Sequence, residues 1–139
     1  WGNSSEEERA RRSVYIFVKR SLVTPLLFNF DFADTDSSCA VRFVTTQPAQ
    51  ALGMINGQFA NRQAELFAER LIEEAGTEYP RFVTRAIRLA YGRTPHTGEV
   101  ENGVQLIKRL MEKHSLKEKQ ALDYFCLTIL NRNEFVYLD

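Results

Sequence analysis

The chain has 139 residues and a mass of 16.0 kDa, the size of one ordinary domain. At this length roughly two-thirds of the unfolded surface can be buried, so no disulfide or metal staple is required. Its 18 Lys and Arg balance 18 Asp and Glu, which excludes a generic attraction to nucleic acid or anionic membranes; a 44% apolar and 26% charged composition excludes a disordered tail.

Residues 1–8 are polar and acidic and read as a flexible lead-in. Arg9 to Ser21 follows, with basic residues flanking Val14-Tyr15-Ile16-Phe17-Val18, the longest apolar run of the chain and far too short to span a bilayer. The stretch reads as a helix with Val14, Phe17, Val18 and Leu22 on one face, with residues 14–18 as a strand the alternative that their β-branched and aromatic content supports. Thr24-Pro25 breaks it, and Pro25 suits the first turn of a short helix through Phe28. Residues 29–46 show no helical period and read as one long ordered loop, pinned by Phe28, Phe30, Phe32 and Phe43; loops of this length are more often functional than filler.

Beyond the loop the period is helical throughout. Thr46 and Pro48 start a helix carrying Ala51, Leu52 and Ile55, and Asn56-Gly57 interrupts it. A second runs from Gln58 to Ala75, burying Phe59, Ala64, Phe67, Leu71 and Ile72, and stops at Gly76. Arg81 to Tyr91 forms a third, stopped by Gly92. Thr97 is the expected N-cap of a fourth, with Val100, Val104, Ile107 and Met111 on one side. Ser115 is the expected N-cap of the last, whose stripe is Leu122, Phe125 and Ile129; residues 133–137 close the chain as a short apolar plug. The pattern predicts an all-α fold: one domain over 1–139, a compact irregular helical bundle of about five helices with one long ordered loop.

The two cysteines, Cys39 and Cys126, are too far apart for any haem-attachment or zinc motif, so this chain encodes no cofactor site of that kind. Cys126 reads as a buried inert thiol, Cys39 as the more exposable, and a disulfide between them stays open. His96 and His114 read as a turn or capping residue and a helix-end cation, with no acid and nucleophile near them in sequence. No phosphate-loop, nucleophile-elbow or zinc-protease motif exists. Asp31, Asp34 and Asp36 form a carboxylate cluster that suits a hard cation such as calcium. The EF-hand template fails, because Cys39 and Thr45 occupy the places of its Gly and Glu, and Asx turns are the plainer account. Arg11, Arg12, Lys19, Arg20 and Arg42 are the basic concentration, suited to internal ion pairs or to an acidic glycan.

Four ordered blocks carry a resemblance: residues 11–22; Phe30-Asp31, Cys39, Arg42, Thr46-Gln47-Pro48-Ala49-Gln50-Ala51-Leu52, Asn56 and Phe59; Ala90-Tyr91-Gly92-Arg93-Thr94-Pro95; and residues 130–139. Together they resemble the planctomycete-specific C-terminal domain of unknown function that accompanies cytochrome-c-like modules in large exported proteins. The resemblance runs from about residue 10 to 139, and implies that the chain starts partway through the family domain and ends at its natural C-terminus. The stretch 34–38 departs from the family's pattern. The resemblance implies an exported location, haem confined to a separate module, and neighbouring domains of the same parent chain as partners. Arg11, Arg12, Asp31, Arg42, Gln50 and Asn56, the polar residues within the blocks, are the candidate ligand-binding set, with internal loop-tethering the competing role. Three functions follow as expectations: a non-catalytic structural or interaction module, part of a glycan-processing or redox enzyme completed by another segment, and a carbohydrate-binding module. Neither nucleic acid nor membrane insertion is expected.

Overall fold

A computed structural model describes residues 4–15, 17, 19, 23–34, 36–41 and 45–137. The fold is all-α, and the chain divides into two compact units, Trp1–Gly53 and Met54–Asp139.

In the first unit, α1 (Glu6–Arg9) is a single turn. A reciprocal capping box holds it: the Ser5 N–H donates to the Glu8 carboxylate at 3.0 Å, and the Glu8 N–H to Ser5 Oγ at 3.2 Å. Among the described residues the expected helix from Arg9 to Ser21 does not form. One turn of 3-10 helix follows at Ser13–Tyr15, and the described positions of 14–18 show no strand. Val14, Tyr15 and Phe17 are all more than 70% exposed, so among the described residues no packed face is present to stabilise either helix or strand. Next come α2 (Pro25–Asn29), the long loop, and α3 (Pro48–Asn56), with Pro48 at the first helical position as expected. The unit boundary falls within α3. Among the described residues of this unit the single buried side chain is polar: Gln50, 3% exposed.

The second unit holds a conventional core. Its helices are α4 (Gln58–Ala75), α5 (Tyr79–Tyr91), α6 (Thr97–His114), α7 (Glu118–Leu130) and the short α8 (Asn133–Val136). α7 is central, packing on α4, α5 and α6 and burying Ala121, Leu122, Phe125, Cys126, Leu127 and Ile129. α4 packs on it and buries Ala60, Ala64 and Ala68, one small residue every turn on one face, a pattern that allows close helix approach. That geometry explains why Phe59, expected inside, is 50% exposed, while Phe67 and Ile72 only flank the core. Phe82 of α5 is fully buried, worth about 1.5–3 kcal/mol, with its ring 6.0 Å from that of Phe125 and tilted by 57°. Gly103 of α6 lies against both helices: a Cβ there would stand 2.7 Å from Val83 Cγ1 and 3.1 Å from Phe125 Cε2.

Helix ends follow the sequence in part. α5 stops at Gly92 in the left-handed region (φ 69°), where its N–H reaches the Arg88 carbonyl. α6 starts one residue earlier than its expected cap: His96, not Thr97, is the N-cap, and the Glu99 carboxylate accepts its backbone N–H at 3.0 Å. Ser115 does not cap α7. It terminates α6 in the left-handed region (φ 53°), and Lys117 precedes α7, its N–H donating to Gln120 Oε1 at 3.2 Å. A serine near a helix junction is read equally well as an end or a beginning, and here the backbone sign decides. The 133–137 plug packs on α5 and α7, although Phe135 stays 41% exposed.

Candidate functional site

The long loop of the first unit is closed by two side chains. Asp31, just past α2, adopts a left-handed conformation (φ 55°) that Asp tolerates better than most residues. Its carboxylate thereby accepts the Thr45 N–H at 2.7 Å and the Thr45 hydroxyl at 2.8 Å. Gln50, buried in α3, donates its amide to the Asn29 carbonyl at 2.9 Å and the Thr45 carbonyl at 2.8 Å, and its oxygen accepts the Gln47 N–H at 3.2 Å. Both ends of the loop are thus tied to one buried amide, which satisfies backbone groups that a loop would otherwise leave unpaired. The expected aromatic pins contribute less: Phe28 is 73% exposed, Phe30 and Phe32 are half-buried, and Phe43 lies outside the described residues.

The tethered loop encloses an open hollow of about 550 Å³, lined by Asp31, Phe32, Asp34, Ser37, Cys39 and Val41. Asp34 accepts the Asp36 N–H at 2.9 Å and the Ser37 hydroxyl at 3.0 Å, an Asx turn whose hydrogen bonds hold its carboxyl below the usual range. Asp31 faces Thr45 instead. Among the described residues no group of three or more His, Cys, Asp or Glu side chains is arranged to hold a metal ion.

Of the candidate ligand-binding set, the structure brings Asp31 and Gln50 together through Thr45. Arg11 and Arg12 are exposed beside the 3-10 turn, Asn56 is exposed at the end of α3 and belongs to the second unit, and Arg42 lies outside the described residues. Cys39 and Cys126 are both free thiols, the first exposed and the second buried; burial pushes the Cys126 thiol far up, as its inert reading expects.

The polar centre of the second unit escaped the sequence reading. Arg93, just past α5, lays one edge of its guanidinium on Glu99 of α6 (2.7 and 2.8 Å) and another on Glu134 of α8 (2.6 and 2.9 Å). Its carbon stands 5.6 Å above the Tyr91 ring, and the Tyr91 hydroxyl donates to the Ile129 carbonyl at 3.0 Å. The Arg93 hydrogen bonds, with the His96 N–H, hold the Glu99 carboxyl down to about 2, and burial pushes the Tyr91 phenol up to about 12. Arg93 stands in one of the resemblance blocks and Glu134 in another, but nothing in sequence joins residues 41 apart.

Two further hollows adjoin on α5. One, of about 580 Å³, lies between α5 and α6, with Pro80, Thr84, Pro95, Val100, Val104 and Gln105 in its lining. The other, of about 360 Å³, shares Pro80 and Thr84 and is lined besides by Glu74, Arg81, Arg85 and Arg88.

The Asp31–Thr45–Gln50 and Arg93–Glu99–Glu134 groups hold a loop and helix ends, and the class so defined is an all-α module of unknown activity. The chain matches over residues 1–107 the family described as PSD1, protein of unknown function (DUF1553), and it belongs to that family. The match takes in the whole first unit and reaches into α6. No curated protein and no solved structure matches the chain.

Proposed function

We propose that the chain is a non-catalytic interaction module of a larger exported protein, whose haem, where present, sits in a separate module. The observation that carries this reading is the surface of the first unit: Val14, Tyr15, Phe17, Phe28, Val41 and Leu52 are 59–77% exposed, and no apolar side chain among its described residues is buried. Exposed apolar groups in that density mark surfaces that another polypeptide covers. The polar residues that an enzyme would aim at a substrate, Asp31 and Gln50 first among them, instead bind backbone groups and Thr45. The planctomycete-type context rests on the sequence blocks alone.

The test is co-expression of this chain with the remainder of its parent open reading frame as a separate polypeptide. Co-elution on size exclusion is expected, lost when Phe17 and Phe28 are both changed to Ser, and accompanied by no turnover of a panel of neutral and sulfated glycans. Turnover of any panel member, abolished by Asp31→Ala, would overturn the reading in favour of an enzyme.

A further inference from the structure

The second unit carries a surface that the apolar face of the first does not explain. Arg81, Arg85 and Arg88 follow one another along α5 at spacings of four and three, on one helix face. They line the 360 Å³ hollow against a single carboxylate, Glu74, which is already shared between Arg85 at 2.6 Å and Arg70 at 2.7 Å. Arg81 has only Glu78 at 3.8 Å, with both side chains well exposed, and the Arg88 guanidinium has no ion pair or hydrogen bond among the described residues. Counting Arg70 and Glu78 with them, four guanidiniums against two carboxylates leave a local excess of two positive charges on a chain whose net charge is zero.

An arginine row alone is a solvated helix face. This one runs along the rim of the α5–α6 groove, because Pro80 and Thr84 belong to both hollows. The groove is walled by Pro80, Pro95, Val100 and Val104, and neither hollow includes an aromatic side chain. Sugar rings and nucleobases are gripped chiefly by stacking on aromatic faces, and no such platform exists here. Aliphatic and proline side chains fit a wall of valine and proline, and carboxylates match the planar forks of arginine.

We propose that the α5–α6 groove and the arginine row beside it form a docking site for an acidic peptide segment, whose aliphatic residues enter the groove while the carboxylates that follow them pair with Arg81 and Arg88. The rise from Arg81 to Arg88 is about 10 Å along the helix, the reach of about three residues of extended peptide. Carboxylates two or three positions apart therefore engage the first and last guanidinium. This site rests on the interaction-module reading and gives it the chemistry of a partner.

The experiment is fluorescence anisotropy on the full chain with a labelled peptide of about a dozen residues, Leu, Pro and Val in its first half and Glu at alternate positions in its second. A peptide with Lys in place of Glu and an unlabelled heparin oligosaccharide serve as competitors. Binding of the Glu peptide is expected to weaken with added salt. It is expected to fall about ten-fold in Arg81→Glu/Arg88→Glu, whose charge pairs are reversed, and comparably in Gln105→Trp, which fills the groove from an exposed position. Both variants are expected to keep the wild-type thermal transition. Equal binding of the Glu and Lys peptides, or affinity unchanged in both variants, would overturn the proposal; so would stronger binding of heparin, which would assign the row to an acidic glycan. Absence of Glu-peptide binding to the wild-type chain, with co-elution of the parent chain intact, overturns the groove and leaves the interaction module standing.

Discussion

Single atoms decide two features of the second unit. Gly103 exists because α6 approaches Val83 and Phe125 too closely for a methyl group. Replacement by Ala gains about 1 kcal/mol of helix propensity but forces Val83 aside, and overpacking of this kind costs about 1–3 kcal/mol. Gly103→Ala is therefore expected to lower the urea midpoint, and Val83→Ala in the same chain to recover part of the loss, a coupling that a double-mutant cycle reads directly. Asp123 of α7 works against the fold: its Oδ1 is buried without a hydrogen bond, and desolvation raises its pKa. A carboxyl whose folded value is raised supports the fold below its ordinary value and loses that support as pH rises through the folded one. At neutral pH Asp123→Asn is expected to raise the melting temperature by a few degrees, and the gain should vanish in acid.

At the scale of elements, Arg93 joins three: the end of α5 that carries it, the first turn of α6 through Glu99, and α8 through Glu134. Glu99, held at about 2, contributes stability above the ordinary carboxylate value and loses it as pH falls toward the folded one. Urea midpoints measured from neutrality down to about pH 2 should fall more steeply for the wild type than for Glu99→Gln, the gap between them closing below about pH 4.5. The helices themselves were legible in sequence because apolar period and Gly stops are local signals: Gln58–Ala75 was placed at its observed bounds, and Gly92 ends α5 as read. What failed was set by tertiary context. Ser115 ends a helix instead of starting one, Phe59 yields the interior to alanines, and Val14, Tyr15 and Phe17 lie exposed where a packed helix face was expected. Within the candidate set, Asp31 and Gln50 hold the long loop by hydrogen bonds. Their hydrogen-bonded tethering follows from contacts 14 and 21 residues away, which no local pattern contains.

At the scale of the molecule, the two units differ in kind. Among the described residues one is organised by hydrogen bonds around a buried amide, the other by an apolar core of four helices. Hydrogen bonds exchanged with water contribute little net stability, whereas burial of Phe82, Leu71, Ile107 and Leu122 contributes most of it. Denaturation of the isolated chain is expected to be biphasic, with the first unit opening at lower urea. Limited proteolysis should leave a fragment close to residues 54–139; a single cooperative transition with no such fragment would contradict the division.

The placement of the two thiols has a practical consequence. Cys39 sits exposed in the first unit, and Cys126 is sealed in the centre of the second, with no other cysteine in the chain. A thiol reagent added to native protein should therefore modify one sulfur at once and the second only as fast as α7 becomes accessible. The chain thus carries its own stopwatch: the slow phase times the opening of the helical core without any introduced label, and a partner that braces that core would be detected as a lengthening of that interval.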